Sequence, residues 1–191
     1  MKPWQATSTI VATQLGFVGF AYAIARWQDV ALFEALRFAP EALAWGVAGA
    51  AAMLALVYGS RTLLPRVWVD LDKLVREVFG ESGLSLGWPT ILLVSASAGI
   101  GEELLFRGAL QGWLASEVPL WLAIVGPALL FAVLHPFSRA YVAYAFVIGC
   151  FLGALYWWTG SLLAAVIAHA LYDVVALGRL KRMMARDVRR S

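Results

Sequence analysis

Residues 89–114, PTILLVSASAGIGEELLFRGALQGWL, run for 26 positions with ionisable side chains only at Glu102, Glu103 and Arg107. A stretch of roughly 20 predominantly apolar residues is long enough to cross a bilayer as a helix. Lipid leaves backbone groups no water to bond, so the segment must satisfy them internally, as a helix does. Three ionisable groups in the middle of such a helix are costly and mark a functional site by default.

The rest of the chain reads the same way. Of its 191 residues, 62% are hydrophobic and 14% charged, against roughly 45–50% and about 25% in soluble domains. A fold of this size cannot hide that much apolar surface from water, and a disordered chain has the opposite composition. Five further apolar runs occupy 8–25, 42–59, 120–136, 140–158 and 162–178. The apolar/polar alternation of barrel strands is absent. The expectation is an all-α, polytopic membrane bundle of six transmembrane helices forming one domain, 1–191.

Lysine and arginine placement gives the orientation. With six crossings, Lys2, Arg61, Arg66, Lys73, Arg76, Arg139, Arg179, Lys181, Arg182, Arg186, Arg189 and Arg190 fall on one side, and only Arg26 and Arg37 on the other. Both termini are thus expected in the cytoplasm, and the basic tail reads as a topology signal near anionic lipid rather than a nucleic-acid site. In 65–79, Val67, Trp68, Leu71, Leu74, Val75, Val78 and Phe79 recur at helical spacing, with Arg66, Asp70, Lys73, Arg76 and Glu77 on the other face. That pattern predicts an amphipathic helix on the interface, a structural collar more than a substrate gate. A weaker version occupies 27–40. The Ala-x-Ala triplets at 21–25 resemble a signal-peptidase site, but the apolar run before them is long for a signal peptide and the segment is read as a retained span.

Beyond 89–114, the ionisable residues inside spans are His135, in Phe131-Ala-Val-Leu-His135, and the pair in His169-Ala-Leu-Tyr-Asp173; the protein has no other histidine. Glu103 and Arg107, four apart with the acid first, are placed to form an ion pair, and His169 and Asp173 share a face. Glu102, turned by about 100° from Glu103, is free to face a cavity and has no evident charged partner. The small residues Ser95, Ala96, Ser97, Ala98, Gly99 and Gly101 keep one side of this helix slim, and Gly108 and Gly112 continue the pattern. Such a set can activate water for attack on an amide, hold a divalent metal, relay protons in a transporter or pin helices together. Cys150 lacks an ionisable partner in sequence and reads as packing; Ser95 and Ser97 lack a nucleophile-elbow context.

Glu-Glu-x-x-x-Arg, Phe-x-x-x-His and His-x-x-x-Asp, in order on successive helices, resemble the CPBP family, the CAAX proteases and bacteriocin-processing or Abi proteins. The resemblance covers a core of about 89–178. It implies an intramembrane endopeptidase of the glutamic type with no obligatory metal or other cofactor. Its substrate would be a membrane-anchored peptide or protein, processed CAAX-fashion or at a C-terminal sorting tail as in small myxosortase-like bacterial members, in the inner membrane. By motif position, the resemblance makes Glu102 the general base, helped by His135. His169 and Asp173 form the oxyanion side, and Glu103 and Arg107 brace the helix or meet the substrate's terminus. Prenyl endopeptidases carry asparagine where this chain has Asp173, and an aspartate donates to an oxyanion only when protonated; its alternative role is to orient His169. A non-catalytic scaffold or immunity protein of the same fold, and a metal-dependent membrane protease, are the competing readings.

Overall fold

The computed structural model describes residues 3–36, 38–82 and 86–188; Lys2, Arg37, Arg189 and Arg190, which carry part of the expected charge asymmetry, lie outside the described residues. Among the described residues all regular structure is helical. The helices are α1 (Pro3–Gln28), α2 (Pro40–Leu63), α3 (Pro65–Ser82), α4 (Trp88–Glu117), α5 (Leu120–Val133), α6 (Arg139–Thr159) and α7 (Leu162–Val188).

Five of them, all but α3 and α5, are long and apolar enough to cross a membrane. The apolar run at 120–136 yields a shorter helix than expected. Pro136 disfavours helical backbone at His135, and α5 stops at Val133. Its 14 residues rise about 21 Å, less than the roughly 30 Å of a hydrocarbon core. His135 therefore sits on the turn just beyond the helix end. The segment 27–40 is not a second interfacial helix: Asp29 takes a left-handed φ of 54°, and among the described residues between the end of α1 and the start of α2 the helical element is a three-residue turn, Glu34–Leu36.

Small residues set the packing, as expected where helices gain little from leaving lipid for each other. A Cβ on Gly46 of α2 would lie 2.6 Å from the Ile167 side chain of α7, and one on Gly99 of α4 would lie 2.9 Å from the Val166 carbonyl oxygen. Through these close approaches α7 lies against both α2 and α4.

The middle of α4 departs from α-helical geometry. Leu104–Gln111 forms a π-helix, a rare form that frequently sits at functional sites. Nothing in the apolar pattern announces it. From this stretch Arg107 Nη2 donates to the Gly149 carbonyl at 3.0 Å, and Gln111 Nε2 to the Gly153 carbonyl at 2.9 Å. Both rungs are four residues apart on each helix, and they seat α4 against α6.

Helix α3 is tied to its neighbours by an acid that the periodicity leaves inconspicuous. Asp72 accepts from Arg61 Nη1 and Nη2 of α2, at 2.9 and 2.7 Å, and from Arg179 Nη2 of α7 at 2.8 Å. Trp68 adds an indole hydrogen bond to Ser60 Oγ at 3.1 Å and lies under the Arg61 guanidinium at 4.4 Å. Burial pushes the Asp72 carboxyl up, but the hydrogen bonds and charges of Arg61 and Arg179 outweigh it and hold it below the ordinary carboxylate value. A carboxylate so held stabilises the folded arrangement above its unfolded pKa and loses that contribution as pH falls through the lower, folded one. Helix α3 is expected to stay docked at neutral pH and to loosen only in acid below the usual carboxylate range. In Asp72→Asn, hydrogen-exchange protection across α3 should already be reduced at pH 7; unchanged protection would mean the latch does not hold the helix.

Candidate active site

All seven helices contribute to one cavity of about 440 Å³, and its lining includes Glu102, His135, His169 and Asp173. The side chains that the sequence scatters over 72 positions thus share one space. The remaining two candidates, Glu103 and Arg107, lie behind it, 0% and 1% exposed.

Arg107 Nη1 donates to Glu103 Oε1 at 2.7 Å, so the pair expected from the spacing of four forms. Its guanidinium also lies 5.0 Å over the ring of Phe131, a cation–π contact strengthened by exclusion of water. Phe131 is a hub: its ring is 4.6 Å from the His135 ring and 6.2 Å from that of His169. Four residues before His135, Phe131 thus touches both histidine rings and the Arg107 guanidinium.

His169 is held from two sides. Its Nδ1 donates to Glu103 Oε1 at 2.7 Å, so Glu103, not Asp173, holds the ring through that nitrogen. The other nitrogen, Nε2, lies 3.6 Å from Asp173 Oδ2 and 3.8 Å from Glu102 Oε2. Three groups that accept when deprotonated converge there, so their mutual repulsion is relieved only by a proton shared among them. His135 is constrained as well. Its Nδ1 faces the Phe131 carbonyl oxygen at 2.7 Å, and a carbonyl only accepts, so Nδ1 carries the hydrogen. In the neutral ring that leaves Nε2 with its lone pair. Tyr141 stacks on this ring, centroids 6.3 Å apart at 23°, and the hydroxyls of Tyr144 and Tyr172 hydrogen-bond to each other in the same cavity.

Counting ionisable groups alone passes over one residue of this site. Gln14 of α1, 7% exposed, donates from Nε2 to Glu102 Oε1 at 2.9 Å. A search for any polar side chain in mid-span finds it. The contact depends on Gly101, where a Cβ would lie 2.5 Å from Gln14 Oε1 and 2.8 Å from the Gln14 carbonyl oxygen. Because one of those atoms is backbone, Gly101→Ala must push α1 away. Overpacking of this kind costs about 1–3 kcal/mol, so the thermal midpoint of Gly101→Ala should fall. Gly16→Ala, on the same helix α1 but with nothing within 4 Å of the new Cβ, is the control and should not fall.

Among the described residues no group of three or more His, Cys, Asp or Glu is arranged to hold a metal ion. Cys150 is a half-buried free thiol.

The family model for type II CAAX prenyl endopeptidases, Rce1-like, matches residues 84–175. That segment contains Glu102, Glu103, Arg107, His135, His169 and Asp173, and excludes α1, α2 and α3. The uncharacterized protein YpbD of Bacillus subtilis (strain 168) is 34% identical over 90 residues, 46% of this chain and 43% of that protein. The chain therefore spans less than half the length of the curated relative it matches. No solved structure matches the chain significantly.

Proposed function

We propose that this chain, a multi-pass membrane protein whose residues 84–175 are an Rce1-like segment of the CPBP protease family, hydrolyses a peptide bond of a membrane-associated substrate with Glu102 as the base. The observation that carries the reading is the meeting of Glu102, His135, His169 and Asp173 in one cavity inside a mostly apolar bundle.

A water between Glu102 Oε2 and His135 Nε2 gives its proton to the carboxylate as its oxygen attacks the scissile carbonyl carbon. Negative charge then builds on the carbonyl oxygen, where a protonated His169 Nε2, held from behind by Glu103, supplies a donor. Collapse of the tetrahedral species breaks the C–N bond, and the departing amine takes the proton from Glu102. Asp173, 3.6 Å from His169 Nε2, keeps a proton in the cluster. Beside the Arg61–Asp72–Arg179 cluster, the cavity wall from α2, α3 and α7 carries the apolar side chains of Leu54, Val57, Leu71, Val75 and Leu177, which suit a lipid-like or transmembrane portion of the substrate. The family match favours CAAX-type processing of a lipidated tail, and the lysine and arginine placement favours six crossings, α5 being a short one, with both termini in the cytoplasm of an inner-membrane protein and α3 lying on that interface.

The test compares C-termini of membrane proteins in cells carrying the native chain or Glu102→Gln. A defined set of termini should lengthen in the variant. Unshifted termini would favour the scaffold reading, and activity abolished by a chelator and restored by zinc would move the chemistry to a bound metal.

A further inference from the structure

We infer that Gln14 is a positioning residue for Glu102, so that α1, which contributes none of the three motifs, completes the catalytic site. This deepens the reading above and rests on it.

Glu102 has two oxygens with different surroundings. Oε1 is engaged by Gln14 Nε2 at 2.9 Å, whereas Oε2 stands 3.8 Å from His169 Nε2, too far for a direct hydrogen bond, and so is left free to accept from a water. The amide anchor therefore selects which oxygen works as the base and stops the carboxylate from swinging between rotamers. A neutral donor does this without placing a counter-charge beside the base. The orientation of the amide is fixed by the partner, because the reverse orientation would set Oε1 against a carboxylate oxygen with no hydrogen between them.

Gln14 is an expensive choice unless it has this task. Its Oε1 is buried and without a hydrogen-bond partner, a desolvation cost that leucine or methionine would avoid. The residue bonded to it lies 88 positions away in sequence, and glycine at 101, next to the base, is what lets α1 come close enough. An orphaned acceptor, a long-range donor bond and a missing Cβ thus meet at one point.

The experiment uses the full chain in liposomes and a peptide spanning one of the C-termini that lengthens when Glu102 is replaced. Gln14→Met keeps the length and volume but has no donor. The expected result is a fall in kcat of about 10- to 100-fold, the scale of misplacing a catalytic group, with KM and thermal midpoint unchanged. A purely packing role would not produce that split. Gln14→Glu, equal in shape but an acceptor against an acceptor, should also lose kcat. A kcat within twofold of native in Gln14→Met overturns the inference while leaving Glu102 as the base. A loss that merely follows a lowered thermal midpoint overturns it as well. If Glu102→Gln itself shifts no termini, the reading of the site fails and takes this inference with it.

Discussion

Glu102→Gln is expected to lower turnover by about 10²- to 10⁴-fold, the usual contribution of a positioned general base, with no loss of thermal stability. The argument for the second half is geometric. A glutamine carbonyl at the Oε1 position still accepts from Gln14 Nε2, now 2.9 Å away. An amide nitrogen at the Oε2 position would point at His169 Nε2 and, beyond it, Asp173 Oδ2, 3.6 Å from that nitrogen. The side chain keeps its shape and its Gln14 bond, and one of the buried carboxyl groups around His169 is replaced by a neutral amide, so the variant should melt near the native temperature. Single-turnover cleavage and a melting curve in the same detergent separate the two effects. Native turnover in Glu102→Gln would reassign the base, with Asp173 next in the cavity.

The apolar runs made the bundle legible because hydrocarbon punishes polar residues so heavily that their absence is itself a signal. The same logic exposed Glu102, His135, His169 and Asp173, whose ionisable groups stand out against leucine and alanine. Restricted to ionisable groups, it passes over Gln14, whose neutral amide breaks no charge rule, and it carries no trace of the π-helix at Leu104–Gln111, which depends on hydrogen-bond register rather than on polarity. Asp72 illustrates a third limit. Arg61 and Arg179 stand out in the sequence as charges that share one side of the expected topology, but both spend their charge on Asp72, 11 and 107 residues away, and such pairing between helices leaves no periodic trace. Proline explains the shortened α5, and in that case the sequence carried the information in Pro136 while the length of the apolar run argued the other way.

Arg107→Met should be the most destabilising of these changes. Glu103 is 0% exposed and Arg107 1%, and stripping one partner from a buried ion pair costs about 3–5 kcal/mol because the other charge is left uncompensated. The Gly149 carbonyl and the face of Phe131 lose the guanidinium at the same time. Through Phe131 the damage reaches both histidine rings. Structure and catalysis are separable here by a second substitution. In Glu103→Gln with Arg107→Met the carboxylate that Arg107 balanced is gone as well, so most of the stability lost in the single variant should return, as replacement of a whole buried pair is often near neutral. Turnover should not return with it. His169 Nδ1 would then face an amide instead of the carboxylate oxygen at 2.7 Å, and the imidazolium that the oxyanion needs would lose its counter-charge. Melting temperature recovering while turnover stays low is the result expected of a Glu103 that serves the chemistry as well as the fold; recovery of both together would reduce Glu103 to a packing residue and leave His169 without a holder.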